Sequence, residues 1–343
     1  SNINQYGITD ERLWTKDKAA EVRGTVKLTA DREVRGLHVY EPDNGHSNVD
    51  LNGHSLIFGE EGIWMHSYNQ AIIYGAGSIT SFLSNLNIHL MTTGYTLAIH
   101  SVISDNGYSR VGLHISGAMG IGRFAQMSLS GDSSNTFTGD VNVVDNASLE
   151  LDKTHAAKAV LGNIYVRNGA RVVWMYDGQI SCGSTVSLIA HGGERSKMIF
   201  AQKNAAEISQ KMHALVVDGL GEFDFGDIGN INFPHGKRYL YLDDLEIKDS
   251  SNLLVIAWEW GRDHILVRKD SAHLEESLKR MHFEGYDPNA IHLVDYDKDY
   301  WEINAMPEPA TYGAGLMMGV LGLARYRRFQ KRRSAKQQLS AVG

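Results

Sequence analysis

The chain has 343 residues, with 35 glycines, 5 prolines, one cysteine (Cys182) and a formal net charge of −7. A single cysteine makes no internal disulfide, so the fold must rest on packing and backbone hydrogen bonds, and the thiol is expected to be buried and inert. Seven basic residues lie from Arg325 onward, so the rest of the chain carries −7 − 7 = −14, which excludes nucleic acid and anionic lipid as expected partners of that acidic body.

Residues 1–32 are polar and mixed, and read as an N-terminal cap or the stump of a longer chain. A short helix is expected from Lys16 to Val22. The chain opens at Ser1 with no visible signal peptide, so a leader is expected to have been removed or truncated.

From 33 to 268 short apolar or alternating runs recur, bounded by Gly, Asn, Asp or Ser. Examples are GLHVY (36–40), AIIYG (71–75), LNIHL (86–90), VGLHIS (111–116), NIYVRNGARVVWM (163–175) and RYLYLDDLEI (238–247). Strands of this length at such intervals predict an all-β architecture. A sandwich would end after about 100 residues, whereas here the pattern continues without a linker. A stacked array is the better reading, because each short rung buries its inner face only on its neighbours. Coils of about 20 to 25 residues predict roughly ten turns of a parallel β-helix.

Two helices are expected to interrupt the strands. Residues 203–215 place Asn204 and Glu207 at capping-box spacing, with Ile208, Met212 and Leu215 on one face. Residues 271–283 place Leu274, Leu278 and Met281 on one face, with Ser271 as cap. The second helix, with a hairpin over 291–305, forms a capping unit at 269–305 that closes the solenoid's open edge.

The tail has three parts. Pro307, Glu308 and Pro309 cannot lie inside a helix, so they form a break. Ala310 to Ala324 carries no charge, and at about 1.5 Å per residue it spans roughly 22 Å as a helix. That is short of a ~30 Å hydrocarbon core, and the flanking Tyr312, Tyr326 and snorkelling arginines make up the deficit. A buried core helix is the competing reading of so short a run. The basic cluster Arg325, Arg327, Arg328, Lys331, Arg332 and Arg333, with no acid after it, argues against burial and is expected to stay cytoplasmic. The polar residues 334–343 follow.

Candidate chemistry is sparse. A glycan-active β-helix enzyme is the alternative function: a hydrolase would show paired carboxylates on adjacent rungs, and a lyase a Ca²⁺-binding carboxylate cluster with an Arg or Lys base. The nearest candidates are Asp224 with Asp227, Asp243 with Asp244, and Asp263 with His264. Asp243 and Asp244 are neighbours in a strand and must point to opposite faces. The histidines show no metal-ligand spacing, so no metal or cofactor is expected. VGLHISGAMGIGRF (111–124) lacks the helix and the GK[ST] of a phosphate loop. Trp258, Trp260, Tyr239 and Tyr241 would stack on sugars if exposed.

The order Pro-Glu-Pro, apolar helix, arginine cluster resembles the PEP-CTERM sorting signal of Gram-negative bacteria. The resemblance implies that Pro307, Glu308 and Pro309 are recognised by an exosortase, an integral-membrane cysteine protease. It also implies that 310–324 is an inner-membrane anchor and that Arg325, Arg327, Arg328, Arg332 and Arg333 form the membrane stop. The ten residues after the cluster depart from the family, which usually ends sooner. A second stretch, LSGDSSNTFTGDVNVVDNASLELDK (129–153), is similar to the autotransporter-associated β-strand repeat, through Leu129, Gly131, Asn135, Thr136, Phe137, Thr138 and Gly139. That resemblance implies a right-handed parallel β-helix displayed outside the cell. Together they lead to the expectation of a non-catalytic, exported solenoid held by a single C-terminal transmembrane helix. After processing it would be structural or adhesive at the cell surface or in an exopolysaccharide matrix.

Overall fold

The computed structural model describes residues 9–40, 45–118, 123–201, 207–226 and 236–305. Within them the chain winds as a parallel β-solenoid of about nine turns, close to the expected number. Three faces repeat. On the first lie His54–Met65 (through 54–58), Gly77–Ser81, Arg238–Ile247 (through 238–242) and Asp263–Arg268. The second stacks Ala19–Val22, Asn85–Leu90, Gly112–Gly117, Val141–Asp145, Ile164–Arg167 and Thr185–Ala190. The third stacks Ser47–Asp50, Ala71–Tyr74, Thr96–Ile99, Ala125–Gly131, Ala147–Lys153 and Arg171–Trp174.

Coil length varies more than the sequence suggests. On the third face Leu129 pairs with Leu151, a step of 151 − 129 = 22 residues, while Phe223 pairs with Val255, a step of 255 − 223 = 32. The strands stay in register because variation is confined to the corners. In each strand alternate side chains point inward, as period-2 geometry requires. On the second face Leu86, Ile88, Leu113, Ile115, Val141, Val143, Ile164 and Val166 are wholly buried. Toward the C-terminal turns the core becomes aromatic: Trp174, Phe200 and Phe223 follow one another edge to face, with centroids 5.8 and 5.1 Å apart, the arrangement that ring quadrupoles favour.

The stretch 129–139 shows how a corner is built. Leu129 and Phe137 enter the core. The buried Asn135 side chain accepts from the Ile103 N–H at 3.0 Å and donates to the Ala159 carbonyl at 2.9 Å, so it joins the coils above and below its own. Thr138 donates through Oγ1 to Asp105, which also accepts from the Thr138 and Val111 amides. Gly139 lies where two coils come close: a β-carbon there would sit 2.4 Å from the Gly112 nitrogen. Gly139→Ala is therefore expected to destabilise the fold by about 1–3 kcal/mol through overpacking, measured as a lower denaturation midpoint.

Three sequence expectations are corrected. The expected helix at 203–215 is absent from 208 onward, where Ile208–Asp224 is a 17-residue strand. It turns a corner, pairing with 238–242 and 244–247 along one part and with 252–256 along the other. Ile208, Met212 and Leu215 fit a helical face, but Ile208, Gln210 and Met212 are buried at period two, and flanking rungs on both sides override local propensity. Asn204 lies outside the described residues. Lys16 to Val22 is not helical either: Ala19–Val22 pairs in parallel with 36–39, so the solenoid begins well before residue 33. The third correction concerns 271–283, of which only Leu274–Leu278 is helical. Ser271 donates to Asp244 instead of capping, and Met281–Phe283 is a third-face strand pairing with 253–255.

The C-terminal end is closed on two faces. The short helix Leu274–Leu278 covers the last second-face rung, where Ser277 Oγ donates to the Leu245 carbonyl at 2.8 Å and accepts from the Ile247 N–H at 2.9 Å. The hairpin of His292–Asp295 and Tyr300–Asn304 covers the last first-face rung, pairing antiparallel with Asp263–Arg268. All other strand pairings among the described residues are parallel. The described chain ends at Ala305, fully buried at this end of the solenoid. Among the described residues no helix is long and apolar enough to cross a membrane, and the expected anchor at 310–324 lies outside them.

Candidate functional site

Of the residues expected to carry function, Pro307, Glu308, Pro309, Arg325, Arg327, Arg328, Arg332 and Arg333 all lie outside the described residues. The carboxylate candidates are described in part, and they diverge. Asp227 lies outside. Asp224 is half-buried and accepts from the Gly226 N–H at 2.7 Å, and burial raises its carboxyl above the usual range. Asp243 and Asp244 both face outward on either side of a corner, a correction to their expected opposite orientation: Asp244 binds Ser271 and His273, and Asp243 lies toward Lys211 and His213. Asp263 points inward and is fully buried, held by Arg238. His264 points outward, stacks on Tyr239 at 4.6 Å and meets Glu302 at 2.7 Å.

The aromatic candidates divide similarly. Trp258 is a core residue, packed against Phe283 and Tyr286, with its indole N–H donating to the Asp263 carbonyl at 2.8 Å. Trp260 is exposed, and Tyr239 and Tyr241 stack on each other on the outer side of the first face. No common sugar platform forms from these four. Cys182 is exposed rather than buried, a further correction: it lies in the turn between Ile180 and Thr185, where its side chain faces solvent. Among the described residues no group of three or more His, Cys, Asp or Glu is placed to hold a metal ion.

An open groove of about 610 Å³ lies between the last second-face rung and the helix Leu274–Leu278. Its charges are largely matched internally. Lys248 binds Asp218 at 2.9 Å, and Arg280 binds both Asp249 at 2.6 Å and the Ile247 carbonyl at 2.7 Å. His273, at its rim, is raised above the ordinary imidazole value by its hydrogen bond to Asp244.

The densest arrangement of titratable and aromatic groups was not anticipated. It lies on the outer side of the second face, near the N-terminal end. In-register positions place His38 beside Trp64, and Trp64 beside His89. Tyr40 and His66 occupy the next outward positions. The planes of His38, Trp64 and His66 lie within 10° of one another, with centroids 5.5 to 6.0 Å apart. Tyr40 stacks against His66 at 4.7 Å, and His89 lies tilted by 33° against Trp64 at 4.2 Å. The Trp64 indole N–H donates to the Glu61 carbonyl at 2.9 Å. Gly62, in the left-handed region with φ +63°, carries the strand past Glu61 and sets this register.

The signal was present in the sequence. His38-x-Tyr40, Trp64-x-His66 and His89-x-Met91 recur 26 and then 25 residues apart, at outward positions of consecutive rungs. It is visible only once the coil length is known.

The fold and this surface define a parallel β-solenoid with a ring layer on one outer face. Comparison with family models, with curated proteins and with solved structures finds no match to this chain.

Proposed function

We propose that the chain is an exported, right-handed β-solenoid, anchored in the inner membrane through 310–324 and processed by an exosortase at Pro307-Glu308-Pro309. It then serves a structural or adhesive role at the cell surface or in an exopolysaccharide matrix. One observation carries the reading: the ordered sequence of Pro-Glu-Pro, uncharged run and arginine cluster in the tail. The position of Ala305 supports it. Ala305, two residues before Pro307, is buried at one end of the solenoid beside the closing hairpin. Arg325, Arg327, Arg328, Arg332 and Arg333 act as the membrane stop in this reading.

The test is intact-mass analysis with fractionation of the full chain, in a host that encodes an exosortase. The mature protein is expected to end near Pro307 and to leave the inner membrane. Replacement of Pro307, Glu308 and Pro309 together by alanine should leave the tail attached. Retention of 310–343 in the unaltered chain, with the protein still in the inner membrane, would reject sorting and leave a plain anchor.

A further inference from the structure

We propose that His38 and His66 form a pH-sensitive latch on the outer side of the second face, closed while one hydrogen lies between their facing nitrogens and opened when both rings are protonated. The geometry defines the contact. His38 Nδ1 lies 3.3 Å from His66 Nε2, the ring planes are 8° apart and the centroids are 5.5 Å apart. That centroid separation is close to the nitrogen–nitrogen distance plus both ring radii, so the rings lie edge to edge in one plane. An in-plane contact of this kind needs one N–H and one lone pair. With both rings protonated every ring nitrogen carries a hydrogen, and two N–H groups then face each other.

The surroundings resist relief of that conflict. Tyr40 covers His66, and Trp64 lies parallel beside both rings. The other nitrogen of His38, Nε2, is 3.5 Å from Glu61 Oε2, a buried oxygen with no hydrogen-bond donor. Glu61 is already opposed by Arg35, whose Nε lies 2.8 Å from Oε1. On the preceding rung Glu21 faces His38 but pairs with Arg23, which itself lies over the Tyr40 ring. From the following rungs come His89 and then His114, neither of which supplies a negative charge. Glu61 Oε2 can thus face a proton on His38, but no carboxylate among the described residues is set against His66, so the N–H groups of two protonated rings would still meet.

Burial, and then the charge of His38, hold the His66 imidazole below its ordinary value. A histidine lowered in this way binds fewer protons folded than unfolded, so the local structure loses stability as pH falls through the ordinary imidazole range. The latch is independent of the sorting signal.

The test is hydrogen exchange of the full chain at about pH 7.5 and about pH 5, bracketing the ordinary histidine range. After correction for intrinsic rates, the amides of 37–40 and 63–66 should exchange at least about tenfold faster at the lower pH. His66→Gln supplies an amide oxygen that accepts from His38 at every pH, and should abolish that change. Imidazole ¹⁵N spectra of the unaltered protein give a second readout, with the two rings titrating in coupled steps. Equal pH dependence in the wild type and His66→Gln, no pH dependence in the wild type, or two rings titrating independently at the ordinary value would each overturn the latch.

Discussion

Asp263→Ala is expected to cost about 3–5 kcal/mol of stability, because it leaves a guanidinium buried without its counter-ion. Arg238 and Asp263 are 1% and 0% exposed. Arg238 donates through Nε at 2.6 Å and Nη2 at 2.9 Å to the two carboxylate oxygens, and through Nη1 to the Gly226 carbonyl at 3.0 Å. Asp263 also accepts from the Glu259 N–H at 2.7 Å. The pair thus joins two first-face rungs to the corner that carries Trp258. Desolvating two charges offsets much of their attraction, so an apolar replacement of both residues should be far milder than either single change. The check is a double-mutant cycle of Arg238→Met and Asp263→Leu, read by chemical denaturation. If the double variant loses as much as the sum of the single variants, the residues do not act as a pair.

Lys153→Met should have the opposite sign. Lys153 is fully buried in phase with Leu149 and Leu151, and its ammonium nitrogen has no hydrogen-bond partner. Burial lowers its value from 10.5 to about 8, with Asp132 acting weakly against that. Holding the charge inside at neutral pH therefore costs roughly 3 kcal/mol. The unfolded chain keeps the proton up to the ordinary lysine value, while the native state releases it near pH 8. Between those values the unfolded state binds more protons, so stability should rise with pH and the penalty should fade. Lys153→Met is expected to be more stable than wild type at pH 7 by up to that amount, with the two converging at high pH. Equal denaturation midpoints at pH 7 would show that the charge is not confined to the core. The neighbouring Gln179, which exchanges two hydrogen bonds with the Lys153 backbone, should hold the corner in either variant.

How much could be read beforehand depended on the range of the forces involved. Period-2 runs such as LNIHL and VGLHIS mark strands through their own alternation, because a strand's two faces are local geometry. Their number, and the absence of a linker, pointed to a stacked array. The opposite turning expected of Asp243 and Asp244 does not hold: the strand bends into a corner between them, and both carboxylates face outward on either side of it. Helix-like spacing in 208–215 misled, because a strand buried between two rungs also places large residues at 208 and 212. Asp263 beside His264 could be singled out as titratable. Its inward turn against Arg238, 25 residues away in sequence, depends on the coil register.

The sequence by itself determined the all-β class, the repeating strands and the order of parts in the tail, because these rest on alternation, turn residues and charge within short windows. Only the tertiary structure decided which side chains meet across coils. The loops between rungs vary in length, and a shift of one residue turns every side chain to the opposite face. For that reason the edge-to-edge pairing of His38 with His66, the buried Arg238–Asp263 pair and the enclosed Lys153 follow from register, which no local stretch encodes.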